Sequence, residues 1–184
     1  PATGRMMIYF TMRFGNEQNR LYYVYVNQDF NRIESIPQIL FEYPSGASAI
    51  DGDITPIWNE ERQKMEYHLF YVAHESGSGI KQAVSDRIDG SYRFDPRWID
   101  FEPVACEAPN VWKRIGEDKW VLMYDIFGIN PHNFGFVETS DFVHFKNLGR
   151  FNEGVMKTTN FRSPKHGAVI HLTQEEADRL ENYW

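Results

Sequence analysis

An all-β fold is predicted by three features of this 184-residue sequence. Short aromatic and β-branched runs alternate with Gly, Asn, Asp and Pro; helix signals are nearly absent until residue 173; and one arrangement of runs recurs along the chain. The 42% hydrophobic and 16% aromatic content supplies an ordered core.

In chain order, the runs at 6–13 and 21–26 flank a Gly15-Asn16 turn and predict a hairpin. Strands follow at 53–58, 67–72 and 80–85, the last two joined by Glu75-Ser76-Gly77-Ser78-Gly79. Runs at 107–113, 119–125 and 134–139 repeat that meander, and 165–172 predicts a further strand. Thr173-Gln174-Glu175-Glu176 is a capping-box start, which predicts one short helix reaching Leu180.

Charge and cysteine content exclude several classes. Nineteen Lys and Arg against 26 Asp and Glu leave a net charge of −7, and the basic residues are scattered. No electrostatic footprint for nucleic acid or an anionic membrane is present, so an uncharged partner is expected. No apolar run approaches the ~20 residues of a membrane span. The single cysteine, Cys106, rules out an internal disulfide and a thiolate metal cluster.

The meanders are copies of one unit. Asp29, Asp86 and Asp141 each precede an outer strand, at intervals of 57 and 55 residues, and Tyr9-Phe10-Thr11, Phe70-Tyr71-Val72 and Met123-Tyr124-Asp125 match in the strand before. A period this long, with about four strands per unit, is the pattern of propeller blades, whose innermost strands line a central channel. Chemistry is expected where those strands begin. Asp53, Glu107 and His166 stand there at intervals of 54 and 59, so two carboxylates and an imidazole are expected to meet at the axis. Glu107, on the apolar background of 104–112, is expected to have its pKa raised toward neutrality, which suits a proton donor.

These residues carry a resemblance. Ile50-Asp51-Gly52-Asp53-Ile54, Tyr67-His68-Leu69-Phe70, Gly79-Ile80-Lys81-Gln82-Ala83-Val84-Ser85-Asp86, Cys106-Glu107-Ala108-Pro109 and Lys165-His166-Gly167-Ala168-Val169-Ile170 resemble, in that order, glycoside hydrolase family 43. The resemblance spans about Met6 to Leu180. It implies a five-bladed propeller that hydrolyses arabinose- or xylose-containing oligosaccharides and polysaccharides with inversion. It further implies Glu107 as general acid and Asp53 as the carboxylate that tunes it, with Asp51 the competing choice for that role. His166 resembles the family's axial histidine, which organises water or a metal ion such as calcium; no other cofactor is implied. A secreted or periplasmic location is also implied.

Departures from the family pattern matter as well. Ala108 stands where the family commonly has glycine. The general base, an aspartate on the innermost strand of the first blade, has no match before Met6, although an inverting enzyme needs that carboxylate about 6.5–9.5 Å from the acid. Blade counting agrees: the chain, read as one partial domain over 1–184, supplies about three blades. These are a remnant at 6–43, blades at 50–101 and 104–150, and a closing strand with its helix at 165–180. The missing blades are expected from the same longer polypeptide or from a second chain. A carbohydrate-binding propeller without hydrolysis is therefore the alternative function, and a pure scaffold a third, which has no use for the aligned acids and histidine.

For the sugar itself, His74, Glu75, Tyr124, Asp125, Phe127 and Asn130 are expected on loops or strand ends at the channel mouth. Trp112 and Trp120 are expected in blade interiors by strand alternation.

Overall fold

The computed structural model describes residues 5–151, 153 and 162–183. They form three antiparallel sheets and one helix. The first sheet is β1 (Met6–Met12), β2 (Arg20–Val26) and β3 (Gln38–Phe41). Four strands build the second: β4 (Ser48–Asn59), β5 (Lys64–His74), β6 (Gly79–Ser85) and β7 (Arg93–Asp95). The third repeats that order with β8 (Cys106–Lys113), β9 (Trp120–Ile126), β10 (Asn133–Thr139) and β11 (Lys146–Arg150). Each four-stranded sheet is a simple meander, the connectivity of a propeller blade.

Both faces of these sheets bury side chains, so apolar runs dominate over strict alternation in β5 and β9. Between the first and second sheets lie Leu21, Tyr23, Phe41, Leu69, Tyr71 and Ala83. Between the second and third lie Phe70, Val72, Ile80, Leu122, Tyr124 and Val137. The far face of the third sheet carries Val121, Met123, Phe134 and Phe136, covered in part by Val169. Phe142 locks the second interface: it stacks on His68 at 4.3 Å, and its carbonyl accepts a bond from the Gln82 side chain.

Strands β4 and β5 run longer than their sequence signals, because Asp51-Gly52 is a bulge inside β4 rather than a turn before it. Ile50 pairs with Val72 and Asp53 with Phe70, leaving two residues opposite Tyr71. An equivalent bulge interrupts β8, where Glu107 pairs with Asp125 and Asn110 with Met123. In both, the first bulged residue is left-handed, with φ 52° at Asp51 and 50° at Ala108. His166 has φ 52° as well. Asp51, Ala108 and His166 are thus the structural equivalents, at intervals of 57 and 58 residues rather than the 54 and 59 counted from Asp53.

The expected strand at 165–172 is not formed: the segment is irregular, with no ladder partner among the described residues. It nevertheless follows the track of an innermost strand. Side-chain oxygens take the place of a ladder, as the Val169 N–H donates to Asn110 Oδ1 at 2.7 Å and the His166 N–H to Asp125 Oδ2 at 3.3 Å. The expected helix is present as α1 (Gln174–Glu181), with Thr173 as its N-cap and Glu176 completing the capping box.

Asp53 and Asn110 are a matched pair of clips. Asp53 Oδ2 accepts the Val111 N–H at 2.6 Å, just as Asn110 Oδ1 accepts that of Val169. Each ties an innermost strand to the next element around the axis. Burial, partly offset by the Val111 N–H, pushes the Asp53 carboxyl up from 3.8 to about 6. The native state therefore holds this proton more tightly than the unfolded chain does. Its contribution to stability is full below about pH 4 and is lost as pH rises through 6. Asn110 shows that a neutral amide serves equally well. Asp53→Asn should accordingly keep the clip and gain stability over wild type more at pH 7 than at pH 4.5. Asp53→Ala, which strands the Val111 N–H, should lose about 1–3 kcal/mol, read by denaturant unfolding at both pH values.

Candidate functional site

Glu107 occupies the position at which β4 carries Ile50. In the second sheet that cross-strand pair is Ile50 and Val72, both packed against the core; in the third it is Glu107 and Asp125. Two carboxylates directly opposite across a ladder repel, so replacing an apolar pair by this one needs compensation. Residues 165–166 provide it. Lys165 Nζ lies 2.9 Å and His166 Nε2 3.0 Å from Glu107 Oε1, and the His166 N–H reaches Asp125.

The left-handed bulge brings in a third acid. Asp51, Glu107 and His166 offer one ligand atom each, all within 4.8 Å of one another. The Asp51 N–H donates to Thr11 Oγ1, and Asp51 Oδ2 accepts the Ala108 N–H at 3.2 Å. The same backbone of Asp51, Ala108 and His166 lines a shallow hollow of about 290 Å³.

Asp53, expected in this group, stands apart from it. The extra bulge residue breaks strict alternation: Ile50 faces the third sheet, Gly52 faces Leu21 and Leu69, and Asp53 turns back to Val111. Asp51 is the residue left at the axis.

Electrostatics run against the expected proton donor. Burial pushes the Glu107 carboxyl up, but the hydrogen bonds and charges of Lys165 and His166 outweigh it and hold the group below the usual range. The raised pKa expected from an apolar background is thus corrected by Lys165, which sequence spacing gave no reason to place there. Asp51 and Asp125 shift the other way, raised first by burial and further by the charge of Glu107. Asp125 is 1% exposed, and its Oδ1 finds no donor among the described protein groups.

Among the residues expected at the channel mouth, Asp125 lies beneath Glu107, and Phe127 has Lys165 Nζ 5.6 Å from its ring centre. His74, exposed at the end of β5, lies close enough for its charge to act on Asp51. Asn130 is exposed beside a cis peptide to Pro131. Glu75 is engaged elsewhere, accepting from Tyr43 Oη at 2.7 Å and from Lys81 at 3.4 Å. Tyr124, expected at the channel mouth, is instead fully buried against Gly135, as part of the core. Trp112 packs edge-on to Phe136 and Trp120 tilts on Phe142, each partly buried and each also lining an open hollow beside Trp58 and His171.

Asp51, Glu107 and His166 offer two carboxylates and an imidazole, a donor set that could hold a metal ion, with Lys165 Nζ already 2.9 Å from Glu107.

The fold agrees with what the chain is similar to. It belongs to a family described as a probable glycosyl hydrolase domain, related to glycoside hydrolase family 43, whose model matches residues 1–178. Among solved structures it is similar to a thermostable family-43 glycoside hydrolase (TM-score 0.54, 14% identity, 79% of this chain and 50% of that one). It is also similar to an endo-1,4-β-xylanase from Bacteroides thetaiotaomicron (TM-score 0.58, 12% identity, 91% of this chain and 57% of that one). A family 117 glycoside hydrolase of the marine bacterium Zobellia galactanivorans gives TM-score 0.54 at 16% identity over 78% of this chain and 51% of that one. The chain therefore spans about half the length of these structures. No curated protein matches its sequence.

If Lys165 sets the protonation of Glu107, removing its charge should raise the Glu107 pKa toward neutrality. Lys165→Met, followed by ¹³C NMR titration of the Glu107 carboxyl, should show that upward move. An unchanged titration would assign the low value to His166 alone.

Proposed function

We propose that this chain belongs to an inverting glycoside hydrolase acting on arabinose- or xylose-containing saccharides, with Glu107 as its general acid. The observation that carries this reading is the convergence of Glu107, Asp51 and His166 within 4.8 Å of one another, beside a hollow that Asp51 and His166 line. A partly buried carboxyl among further carboxylates is an arrangement for moving a proton. Family membership supports glycosidic substrates, and the similar xylanase supports the xylose arm.

Asp51 replaces Asp53 in the tuning role, because Asp51 and Glu107 are close enough for charge to pass between them. A negative neighbour favours the protonated form of Glu107. The ion pair with Lys165 opposes protonation, and Lys165 is 45% exposed on a flexible stem. A sugar entering the hollow displaces the ammonium group and dries the carboxyl, and both changes raise its pKa. The leaving oxygen then takes the proton from Glu107. The general base that activates water is supplied by protein beyond these residues. His74, Asp125, Phe127 and Asn130 are proposed contacts for the sugar near the hollow. The second reading, sugar binding without hydrolysis, is favoured by the ion pair that keeps Glu107 deprotonated at rest.

The test uses the full-length protein. Glu107→Gln should cut kcat/KM on natural arabinosides or xylosides by about 10²–10⁴-fold while sparing aryl glycosides, whose leaving group needs little protonation. Asp51→Asn should lower the pKa of the acid, moving the basic limb of the pH profile to lower pH. Asp53→Asn should leave that limb in place. Equal losses on both substrate types would remove Glu107 from the acid role, and binding without turnover in wild type would establish the second reading.

A further inference from the structure

A groove of about 440 Å³ opens on the face where β5 ends and β8 begins, lined by Ser76, Ser78, Gly79, Trp98, Asp100 and Val104 among others. It adjoins the candidate acid through the backbone. The Cys106 N–H donates to the Ser78 carbonyl at 2.9 Å, and Ser78 Oγ donates to the Cys106 carbonyl, one residue before Glu107.

Trp98 is the feature of this groove that packing alone does not account for. Its side chain is 42% exposed, yet it is firmly held. Buried Lys81 places Nζ 4.4 Å over the ring, and Lys81 itself is fixed by Tyr43 Oη and the Pro96 carbonyl, each at 2.9 Å. On another side the ring lies against Gly79, where a Cβ would meet it at 3.0 Å and Asp100 Oδ2 at 2.7 Å. An exposed indole fixed from two sides is a platform that loses little entropy when something stacks on it.

The surrounding chemistry selects the occupant. Asp100 and Glu102 make the groove acidic, and Glu102 is already paired with Arg150 at 2.6 Å. An anion is disfavoured there. A flat apolar plane beside hydroxyl, carbonyl and carboxylate oxygens fits a neutral polyhydroxylated ring, with one apolar face for the indole and hydroxyls for the oxygens.

We propose that this groove is a distal subsite for a neutral glycan chain, with Trp98 as its stacking platform, continuing outward from the candidate site around Glu107. The inference rests on the glycoside hydrolase reading for its ligand class. It makes the preferred ligand an oligosaccharide long enough to span both places.

Binding tests it independently of turnover. In full-length protein carrying Glu107→Gln, calorimetric titrations of xylobiose, xylohexaose, arabinobiose and arabinohexaose give the ratio of hexasaccharide to disaccharide affinity. Adding Trp98→Ala should reduce that ratio about tenfold for the preferred sugar, or about 1.4 kcal/mol. Trp98→Phe, which keeps an aromatic plane, should retain most of it. An unchanged ratio, an equal loss for both lengths, or no binding of either hexasaccharide would overturn the proposal. Absence of hydrolysis by wild type with the ratio still dependent on Trp98 would instead defeat the hydrolase reading and leave the subsite standing.

Discussion

The site depends on one extra residue near the start of each innermost strand. The bulges in β4 and β8 place Asp51 and Ala108 in the left-handed region, which costs a residue with a Cβ about 1–2 kcal/mol. His166 adopts the same backbone without a ladder to hold it. Side chains on neighbouring elements answer for the exposed N–H groups. Thr11 takes that of Asp51, Asp51 that of Ala108, and Asp125 that of His166. Thr11 on β1 and Asp125 on β9 hold equivalent places in the repeat, with Val72 on β5 as the third member. Val72, between them in the series, has no acceptor to offer, and Asp51 fills the gap. The bulge, the three functional candidates and the contacts around the axis are thus one construction.

Electrostatic balance at that construction is uneven by design of the repeat. Ile50 and Val72 become Glu107 and Asp125 one sheet later, exchanging an apolar contact for two facing acids. Lys165 and the His166 ring and backbone restore the balance. The cation that makes the acidic pair tolerable also holds the Glu107 pKa down, together with His166, so in the proposed acid role stability and proton donation would pull on the same side chain. The exposure of Lys165 would ease that conflict, since an exposed ammonium regains hydration when displaced whereas a buried one would not.

Farther out, the blades are joined by aromatic and amide contacts rather than by ladders. Phe142 stacks on His68 and Trp120, and the Gln82 amide reaches its carbonyl. Asp53 and Asn110 do the corresponding work at the inner ends. A stacked, ladder-free interface lets each sheet keep its own register, while a few side-chain clips fix the angle at which Glu107 and His166 meet.

The sequence by itself determined the all-β class, the repeating meander, the capped helix that follows Thr173 and the meeting of Glu107 with His166. Those properties follow from alternation, turn chemistry and a period, which are local or additive along the chain. Only the tertiary structure set Asp51 rather than Asp53 beside Glu107 and His166, because counting by twos holds until a bulge adds a residue, and nothing in Asp51-Gly52-Asp53 distinguishes a bulge from a turn. It likewise withheld a ladder from 165–172, since a strand needs a partner as well as a propensity. Tyr124 passed into the core because its place between Glu107 and Asn110 on the neighbouring strand faces Gly135, a relation set by pairing. Lys165 came to rest on Glu107 from 58 residues away, and a pKa depends on distance through space, which spacing along the chain does not record.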